Sequence, residues 1–211
     1  HWYFRNPSGS ASVIIGEMDG RIVGMATTND HIFEKAGEEV LVGMPQKVLT
    51  DEAIRGQGVF GRLHAAAEKA CLDRGVEMFL TVTNAASTPI FIERFGFRRL
   101  PVPRMALLLP SIGAAPIHSE GCGPPGERAP NQDTWRMKKD AVHFSWRYTQ
   151  NPLKEYTFLK VSDDGNDDGW IVLRRIRRAR LPMSLLMDMV PERGGTGTKP
   201  LKMARRLALH Q

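Results

Sequence analysis

The chain has 211 residues, which is enough for one large domain or two small ones, each with a hydrophobic core. Hydrophobic residues make up 42% and charged residues 25% of the sequence, which excludes a disordered or fibrous protein. The net charge of +6 suits anionic partners such as nucleotides, CoA-type cofactors, nucleic acid or acidic lipid, without choosing among them.

Cysteine and histidine usage bears on compartment and on metal binding. Cys71 and Cys122 cannot form a disulfide framework, and neither lies in a Cys/His cluster. A reducing, cytoplasmic setting is therefore the simplest interpretation. The six histidines are scattered, so we expect no metal site. The sequence has no secretory signal pattern and no apolar run near the roughly 20 residues of a membrane helix, so we expect no membrane partner.

The first elements are predicted to be strands. Residues 12–17 and 21–26 are apolar or β-branched around the turn signal Asp19-Gly20, which predicts a β-hairpin. Residues 39–44 are a further strand candidate, and residues 46–50 continue it or form the next strand.

Helical spacing begins at Gly58, and apolar residues recur three or four positions apart as far as residue 74. Gly75 is expected to end this helix. Residues 78–83 form an apolar run that suits a strand buried on both faces. A short helix over 87–95 is then expected to end at Gly96, followed by a strand over 97–109.

A weak internal repeat is suggested by two similar stretches. Residues 2–7 (WYFRNP) resemble residues 146–152 (WRYTQNP), and both precede a strand, an Asp/Gly turn and a second strand. Residues 49–56 resemble residues 187–194 in the same way. The second copy is expected to have a glycine-rich turn at 193–197 and a helix at 200–209, as the first has its helix at 61–74. The alignment needs small gaps, so a chance similarity remains an alternative. The second copy would lack the buried strand and the closing segment.

A glycine-rich turn between a strand and a helix carries the most functional information. It lies within VLTDEAIRGQGVFGRL, residues 48–63. The first turn of a helix leaves backbone N–H groups unpaired, and glycines let a phosphate approach them closely. Arg55 and Arg62 add positive charge. The turn therefore predicts a phosphate or pyrophosphate site, with a tight turn that binds no ligand as the alternative.

Two other phosphate-binding motifs do not fit this turn. It lacks the Gly-Lys-Ser/Thr ending of the NTPase phosphate loop. Its glycines follow an arginine and a pair of strands expected to be antiparallel, so it is not the dinucleotide fingerprint of a parallel βαβ unit.

The stretch Arg55-Gly56-Gln57-Gly58-Val59-Phe60 resembles the acyl-CoA pyrophosphate motif R/Q-x-x-G-x-G/A of the GNAT acetyltransferase superfamily. The order of elements over about residues 10–110 is also similar to that superfamily. The resemblance implies an α/β (α+β) fold with a mixed, largely antiparallel sheet flanked by helices. It implies an acyl-CoA-binding domain at 1–110, a Pro/Gly-rich linker at 111–130, and a second, incomplete GNAT-like module at 131–211.

The resemblance implies acetyl-CoA as co-substrate and no metal. The strand before the motif would splay from its neighbour and pair with the pantetheine arm, and the turn would hold the pyrophosphate. Asn84 matches a position that often contacts the cofactor, although it equally suits a helix N-cap or turn. The cofactor-binding residues expected are Val48, Leu49, Thr50, Arg55, Gly56, Gln57, Gly58, Val59, Phe60, Gly61, Arg62 and Asn84.

The implied reaction is direct attack of an amine on the thioester, which needs a base and oxyanion donors. No catalytic residue is assigned. Candidate bases, each of which also suits a plain surface or loop position, are His31, Glu38, Glu39, Asp51 and Glu52.

The sequence departs from the family pattern in three places. Phe60 replaces the last small residue of the motif, with Gly61 behind it. Ile92 stands where many members have a Tyr that protonates the departing thiolate. The sequence begins with His and reaches its hairpin within some twelve residues, so the N-terminal strand and helices of the family are expected to be missing.

The leading hypothesis is an N-acetyltransferase that acts on a small-molecule amine, such as an amino sugar. The first alternative, motivated by Ile92, is a non-catalytic CoA-binding or structural module. The second is a basic nucleic-acid-binding domain, although a solvated face is the plainer interpretation of the arginine run at 174–180. The identity of the acceptor and self-association into a homo-oligomer stay open.

Overall fold

A computed structural model describes residues 2–7, 9–101, 118–120, 134–163, 166–178 and 180–191. The chain divides into two compact units. The first comprises His1, residues 3–33 and residues 38–106, and the second comprises Trp2, residues 34–37 and residues 107–211. Apart from residues 118–120, the expected linker at 111–130 lies outside the described residues.

The elements of the N-terminal part follow the predicted order of hairpin, strand, helix, strand and helix. A 3₁₀ turn at Trp2–Phe4 comes first, and a second one at Glu52–Ile54 precedes the long helix. The strands are β1 (Ala11–Met18), β2 (Arg21–Lys35), β3 (Glu38–Thr50) and β4 (Met78–Phe79), and the helices are α1 (Val59–Leu72) and α2 (Thr88–Glu93). The strands lie side by side in the order β1-β2-β3-β4.

The predicted hairpin is confirmed. β1 and β2 are antiparallel, with Met18 opposite Arg21. Asp19 and Gly20 both have positive φ, 49° and 73°, as a two-residue turn between twisted strands requires. β2 extends nine residues beyond residue 26, the end expected for it, and the polar residues 27–31 in this extension are buried.

Helix α1 packs its apolar stripe against the sheet. Val59, Leu63 and Ala67 form a core cluster with Ala26 of β2. A Cβ at Gly24 would lie 2.8 Å from Cδ1 of Leu63, so the helix approaches the sheet as closely as it does because residue 24 has no side chain.

Gly75 ends α1 as predicted. Its φ is 87°, its N–H donates to the carbonyl of Leu72 at 2.9 Å, and the N–H of Val76 donates to that of Cys71 at 3.1 Å. These two bonds satisfy carbonyls that the end of a helix leaves unpaired.

The prediction of a fully buried strand over 78–83 is wrong. Only Met78 and Phe79 pair with a neighbour, in a parallel ladder opposite Val42 and Gly43. Met78 is 42% exposed and Val82 is 91% exposed. A continuous apolar run suits a buried strand, but this segment leaves the sheet after two rungs, and its side chains are exposed or half-buried.

Pro45 explains why the ladder stops. In a parallel pair, the rung after Gly43 and Phe79 would need an N–H group at residue 45, and proline has none. The carbonyl of Pro45 instead accepts a hydrogen bond from the Thr81 hydroxyl at 2.9 Å. β3 itself continues through Pro45 to Thr50, so residues 39–44 and 46–50 belong to one strand.

The expected short helix is confirmed as α2, with Gly96 at φ 69° after it. The N–H of Phe97 donates to the carbonyl of Phe91 at 3.0 Å and closes the helix end. The strand predicted over 97–109 does not form at 97–101, which have no regular structure, and its remainder lies outside the described residues.

A buried ion pair ties the end of α1 to β2. Asp30 has no exposed surface, and the Arg74 guanidinium donates to its Oδ2 from Nε at 3.1 Å and from Nη2 at 2.7 Å. Nη1 of Arg74 also donates to the Ser12 hydroxyl at 2.6 Å and to the carbonyl of Ala70 at 2.7 Å. Burial raises the pKa of Asp30 above its ordinary value, and Arg74 opposes that rise.

We expect Arg74→Met to lower the free energy of unfolding by about 3 kcal/mol at pH 7, because it leaves the Asp30 carboxylate buried without its partner. The loss should shrink as the pH falls toward 4, where Asp30 can bind a proton. Urea unfolding at several pH values measures both effects.

Lys69→Met is the matched control, since Lys69 pairs with Asp73 at 2.6 Å on the exposed surface of the same helix. Its effect should stay below about 0.5 kcal/mol. Equal losses in the two variants would contradict a stabilising role for the buried pair.

The second unit has its own antiparallel sheet. Its strands are β5 (His118–Glu120), β7 (Thr157–Asp163), β8 (Asn166–Arg178) and β9 (Leu181–Pro191), in the order β5-β7-β8-β9. Helix α3 (Ala141–Phe144) continues into a π-helical turn at Ser145–Thr149, and the two-residue strand β6 (Arg136–Met137) precedes it. One face of the sheet packs Leu159, Ile171 and Leu173, and Phe144, Tyr148 and Val172 form a second cluster.

The second unit supports the expectation of a second module in part. As in the N-terminal part, a short helical turn is followed by three strands that are neighbours in the sheet. The glycine-rich turn predicted at 193–197 and the helix predicted at 200–209 lie outside the described residues.

Two absences can be stated for the described part of the chain. None of its helices is long and apolar enough to cross a membrane. It also has no group of three or more His, Cys, Asp or Glu side chains that could hold a metal ion.

Candidate active site

The glycine-rich turn links the end of β3 to the start of α1 through two left-handed glycines. Gly56 has φ 83° and Gly58 has φ 75°. Gly58 is the N-cap of α1, and its carbonyl accepts the first helical hydrogen bond, from Arg62 at 3.2 Å. A Cβ at Gly56, Gly58 or Gly61 would meet no atom within 4 Å, so the turn opens to solvent.

This turn leaves a row of backbone donors without partners. No described residue accepts a hydrogen bond from the N–H of Val59, Phe60 or Gly61. Three such N–H groups at the positive end of a helix dipole form a site for an anion.

The charged side chains near the turn differ in whether they already form hydrogen bonds or ion pairs with other residues. Arg55 donates to Glu52 at 3.0 Å, and Asp51 accepts from the N–H of Ala53 at 2.9 Å while facing Arg21 at 4.0 Å. Arg62 forms no ion pair with any carboxylate that the structure describes. Of the two arginines at the turn, Arg62 is therefore the one whose positive charge is not neutralised by a described carboxylate, so it is available to an anionic ligand.

An opening beside β3 leads toward the turn. Pairing between β3 and β4 stops at Gly43 and Phe79, so residues 46–50 have no ladder partner on that edge among the described residues. Val48 packs against the α1 core, Leu49 is 62% exposed, and Thr50 is half-buried. Val48, Leu49 and Thr50 are thus the last residues of the unpaired edge, directly before the segment that leads to the glycine-rich turn.

Asn84 lies at the end of the segment that leaves the sheet, and its side chain forms a turn ahead of α2, whose N-cap is Ser87. Its Oδ1 accepts hydrogen bonds from the N–H of Ala86 at 3.0 Å and of Ser87 at 2.9 Å. Of the two structural roles that the sequence left open for Asn84, the structure has the turn, while Ser87 is the N-cap of α2. A contact with a cofactor stays a prediction.

An aromatic cluster that the sequence did not predict packs behind the turn. Phe60 lies 5.4 Å from Phe95 between ring centroids, and His64 lies 3.9 Å from Phe95. Phe91 and Phe97 complete the cluster. The spacing of four between Phe60 and His64 and between Phe91 and Phe95 is the signal that could have revealed it. Phe60, the departure from the motif, is thus held by packing.

Ile92 is half-buried and carries no proton donor into the site. An open cavity of about 500 Å³ lies beside it, lined by Pro89, Ile92, Glu93, Phe97, Arg98 and Arg99. This lining contains no Tyr, Ser, Thr or Cys, so the cavity supplies no hydroxyl or thiol in place of the family's acid.

The candidate bases are not brought together. Glu38 and Glu39 begin β3, roughly 40 Å along that strand from its other end at the turn. Asp51 and Glu52 lie at the turn but are engaged as described above. His31 is buried, with its Nδ1 3.3 Å from Nδ2 of Asn6. The structure therefore separates Glu38 and Glu39 from the turn and singles out no base.

Sequence comparison identifies the fold that carries this site. Residues 1–100 match the family model described as an acetyltransferase (GNAT) domain. This part of the chain belongs to the GNAT family. The mixed, largely antiparallel sheet with its flanking helices agrees with that assignment. No curated protein matches the chain.

Several solved structures are similar to the chain. An acetyltransferase from Trypanosoma brucei has 24% identity over 49% of this chain and 72% of its own, with a TM-score of 0.39. A glucosamine-6-phosphate N-acetyltransferase from Arabidopsis thaliana has 15% identity over 46% and 65%, with a TM-score of 0.39. An aminoglycoside N-acetyltransferase in complex with CoA has 18% identity over 46% and 66%, with a TM-score of 0.40. The chain covers less than two thirds of the last two.

His64 makes the stability of this GNAT domain depend on pH. Burial lowers its pKa from the ordinary 6.5. The unfolded chain therefore binds the proton more readily, and the free energy of unfolding should fall as the pH drops below about 6.5. We expect His64→Phe to reduce this fall between pH 8 and pH 5.5, measured by urea unfolding.

The value at pH 8 serves as the reference in this experiment, because His64 is neutral there and only the packing differs. An unchanged difference between the two pH values would show that His64 does not titrate in this range.

Proposed function

We propose that the chain is an acetyl-CoA-dependent N-acetyltransferase that acts on a small-molecule amine. The observation that carries this proposal is the row of unpartnered N–H groups at Val59, Phe60 and Gly61 beside an unpaired edge of β3. Membership of residues 1–100 in the GNAT family supports it.

In this proposal, different parts of acetyl-CoA bind to different elements. The pyrophosphate binds the N–H groups at the start of α1, with Arg62 adding charge. The pantetheine arm lies along residues 46–50, where its amides replace the missing ladder partner. Asn84 contacts the cofactor with its amide nitrogen while its oxygen caps the turn. The proposed binding residues are Val48, Leu49, Thr50, Arg55, Gly56, Gln57, Gly58, Val59, Phe60, Gly61, Arg62 and Asn84.

The chemistry follows from the thioester. The amine nitrogen attacks the carbonyl carbon, the C–S bond breaks, and CoA leaves as a thiolate. The amine loses one proton to a base or to water. Because Ile92 cannot donate a proton, the thiolate takes its proton from water or another group, or leaves unprotonated.

A second candidate function is a CoA-binding module without catalytic activity. Ile92 in the position of the usual acid favours it. The two functions share the cofactor site, and they differ in whether any amine is acetylated.

Residues 131–211 belong to the proposal as a second, incomplete GNAT-like module, with the Pro/Gly-rich segment 111–130 as the linker. We also propose a reducing, cytoplasmic location, consistent with the free and buried Cys71.

Acetyl-CoA should raise the thermal unfolding temperature of the chain, and Gly58→Asp should abolish this rise. At a concentration of 100 times Kd, one bound ligand adds about 2.7 kcal/mol of stability. An aspartate at residue 58 places negative charge and a side chain in the open cradle. Differential scanning fluorimetry with acetyl-CoA, and with ADP for comparison, measures the shift.

Gly37→Asp is the matched control. Gly37 also has a positive φ, 89°, with no atom within 4 Å of an added Cβ, and it precedes β3 at the end far from the turn. Both variants suffer similar backbone strain. The control should keep the shift, and a folded wild-type chain that shows no shift would contradict the proposed cofactor.

A broad amine panel separates the two functions. Release of CoA thiol, followed with a thiol reagent, should appear with at least one amine. A chain that acetyl-CoA stabilises but that acetylates no amine would establish the non-catalytic module instead.

A further inference from the structure

The proposed cofactor site leaves unused a polar cluster on the sheet face away from α1. Thr28 bonds Cys71 of α1, so its neighbours Thr27 and Asn29 point to the other face. There, the Tyr3 hydroxyl donates to Oε1 of Gln46, and Nδ2 of Asn29 donates to the carbonyl of Tyr3 at 3.0 Å. Tyr3 is thereby fixed over the middle of β3.

Lys47, which has an unusual backbone conformation, places its positive charge next to this cluster. Lys47 has φ 48° in the middle of β3, in the left-handed region that non-glycine residues rarely adopt. Such an irregularity redirects a side chain, and strain of this kind concentrates at functional sites. The ammonium of Lys47 lies 4.1 Å from the centroid of the Tyr3 ring.

The charge of Lys47 has no counterpart in the described part of the chain. Lys47 forms no ion pair with a described carboxylate, and its side chain is exposed. The amide nitrogen of Gln46 likewise donates to no described residue, because the hydrogen bond with Tyr3 uses the amide oxygen. The cluster therefore presents an ammonium and an amide donor to solvent.

The cluster lies where the opening in the sheet begins. Gln46 directly follows Pro45, whose carbonyl accepts a hydrogen bond from Thr81 of the diverging segment. A cofactor with its pyrophosphate at the start of α1 and its arm along residues 46–50 would bring its far end to Gln46. In acetyl-CoA that far end carries the thioester.

We propose that Tyr3, Gln46 and Lys47 form the acceptor subsite, and that the acceptor is a small amine bearing an anionic group. This inference rests on the proposed function. Lys47 attracts the anionic group, and Gln46 and Tyr3 bind polar atoms beside the amine. Polycationic amines are disfavoured because the subsite offers them a positive charge.

Matched amines test this inference in the presence of acetyl-CoA. O-phosphoethanolamine is compared with ethanolamine, and β-alanine with β-alaninamide, with spermidine as the polycation. The wild-type chain should acetylate at least one anionic member about tenfold faster than its neutral partner, which corresponds to 1.4 kcal/mol. The two pairs distinguish phosphate from carboxylate recognition.

Lys47→Glu should remove the preference for the anionic amine or reverse it, because it reverses the charge in the subsite. Lys69→Glu makes the same change of net charge on the exposed surface of α1, and it should keep the wild-type preference. Tyr3→Phe keeps the ring beneath Lys47 and removes the hydroxyl, so we expect a higher KM for the amine.

The outcomes separate the two proposals. If acetyl-CoA does not stabilise the wild-type chain, the cofactor assignment fails and the acceptor assignment falls with it. If acetyl-CoA stabilises the chain, three results overturn the acceptor assignment alone. These are a preference for neutral or polycationic amines, an unchanged preference in Lys47→Glu, and acetylation of another amine of the broad panel but of none of the anionic probes.

Discussion

The missing N–H of Pro45 is the constraint on which the site depends. A parallel ladder needs a backbone donor at that residue, so pairing with β4 ends at Gly43 and Phe79. Thr81 supplies the last contact through its hydroxyl, and the chain beyond it leaves the sheet. One absent donor thus produces both the unpaired edge of β3 and the exposure of Val82. That edge ends at Thr50, and the 3₁₀ turn Glu52–Ile54 connects it to the glycine-rich turn.

A ligand can bind along the unpaired edge of β3 and at the start of α1 only if the helix keeps a fixed position on the sheet. α1 is held at its end by the ion pair between Arg74 and Asp30, and along its length by Leu63 against Gly24. The helix therefore cannot slide along the sheet, and its first N–H groups stay at the end of β3. The buried pair is costly to desolvate, but it is fully hydrogen-bonded, which is the condition under which such a pair can fix a geometry.

Features set by neighbouring residues could be predicted from the sequence, and features set by distant partners could not. The hairpin, α1 and its glycine stop depend on short-range rules, and the structure has them where expected. The exposure of Val82 depends on a proline 37 positions earlier in the opposite strand. The contact between Tyr3 and Gln46 spans 43 residues and follows no local pattern. Asn84 stands between the two cases, since the turn that it forms is local and its proposed contact with a ligand is not.

The proposed cofactor site and the proposed acceptor subsite therefore differ in composition, since the first consists of backbone groups and the second of side chains. The proposed anion site consists of backbone N–H groups, which any residue with a compatible φ can present. The phenylalanine at residue 60, where the motif has a small residue, therefore leaves these N–H groups in place. The acceptor end consists of side chains on separate elements, including a lysine redirected by an irregular strand. A short motif can identify the first kind of site because its chemistry is local. The second kind depends on which charges the fold brings together, and in the proposed acceptor subsite the ammonium of Lys47 pairs with no described carboxylate.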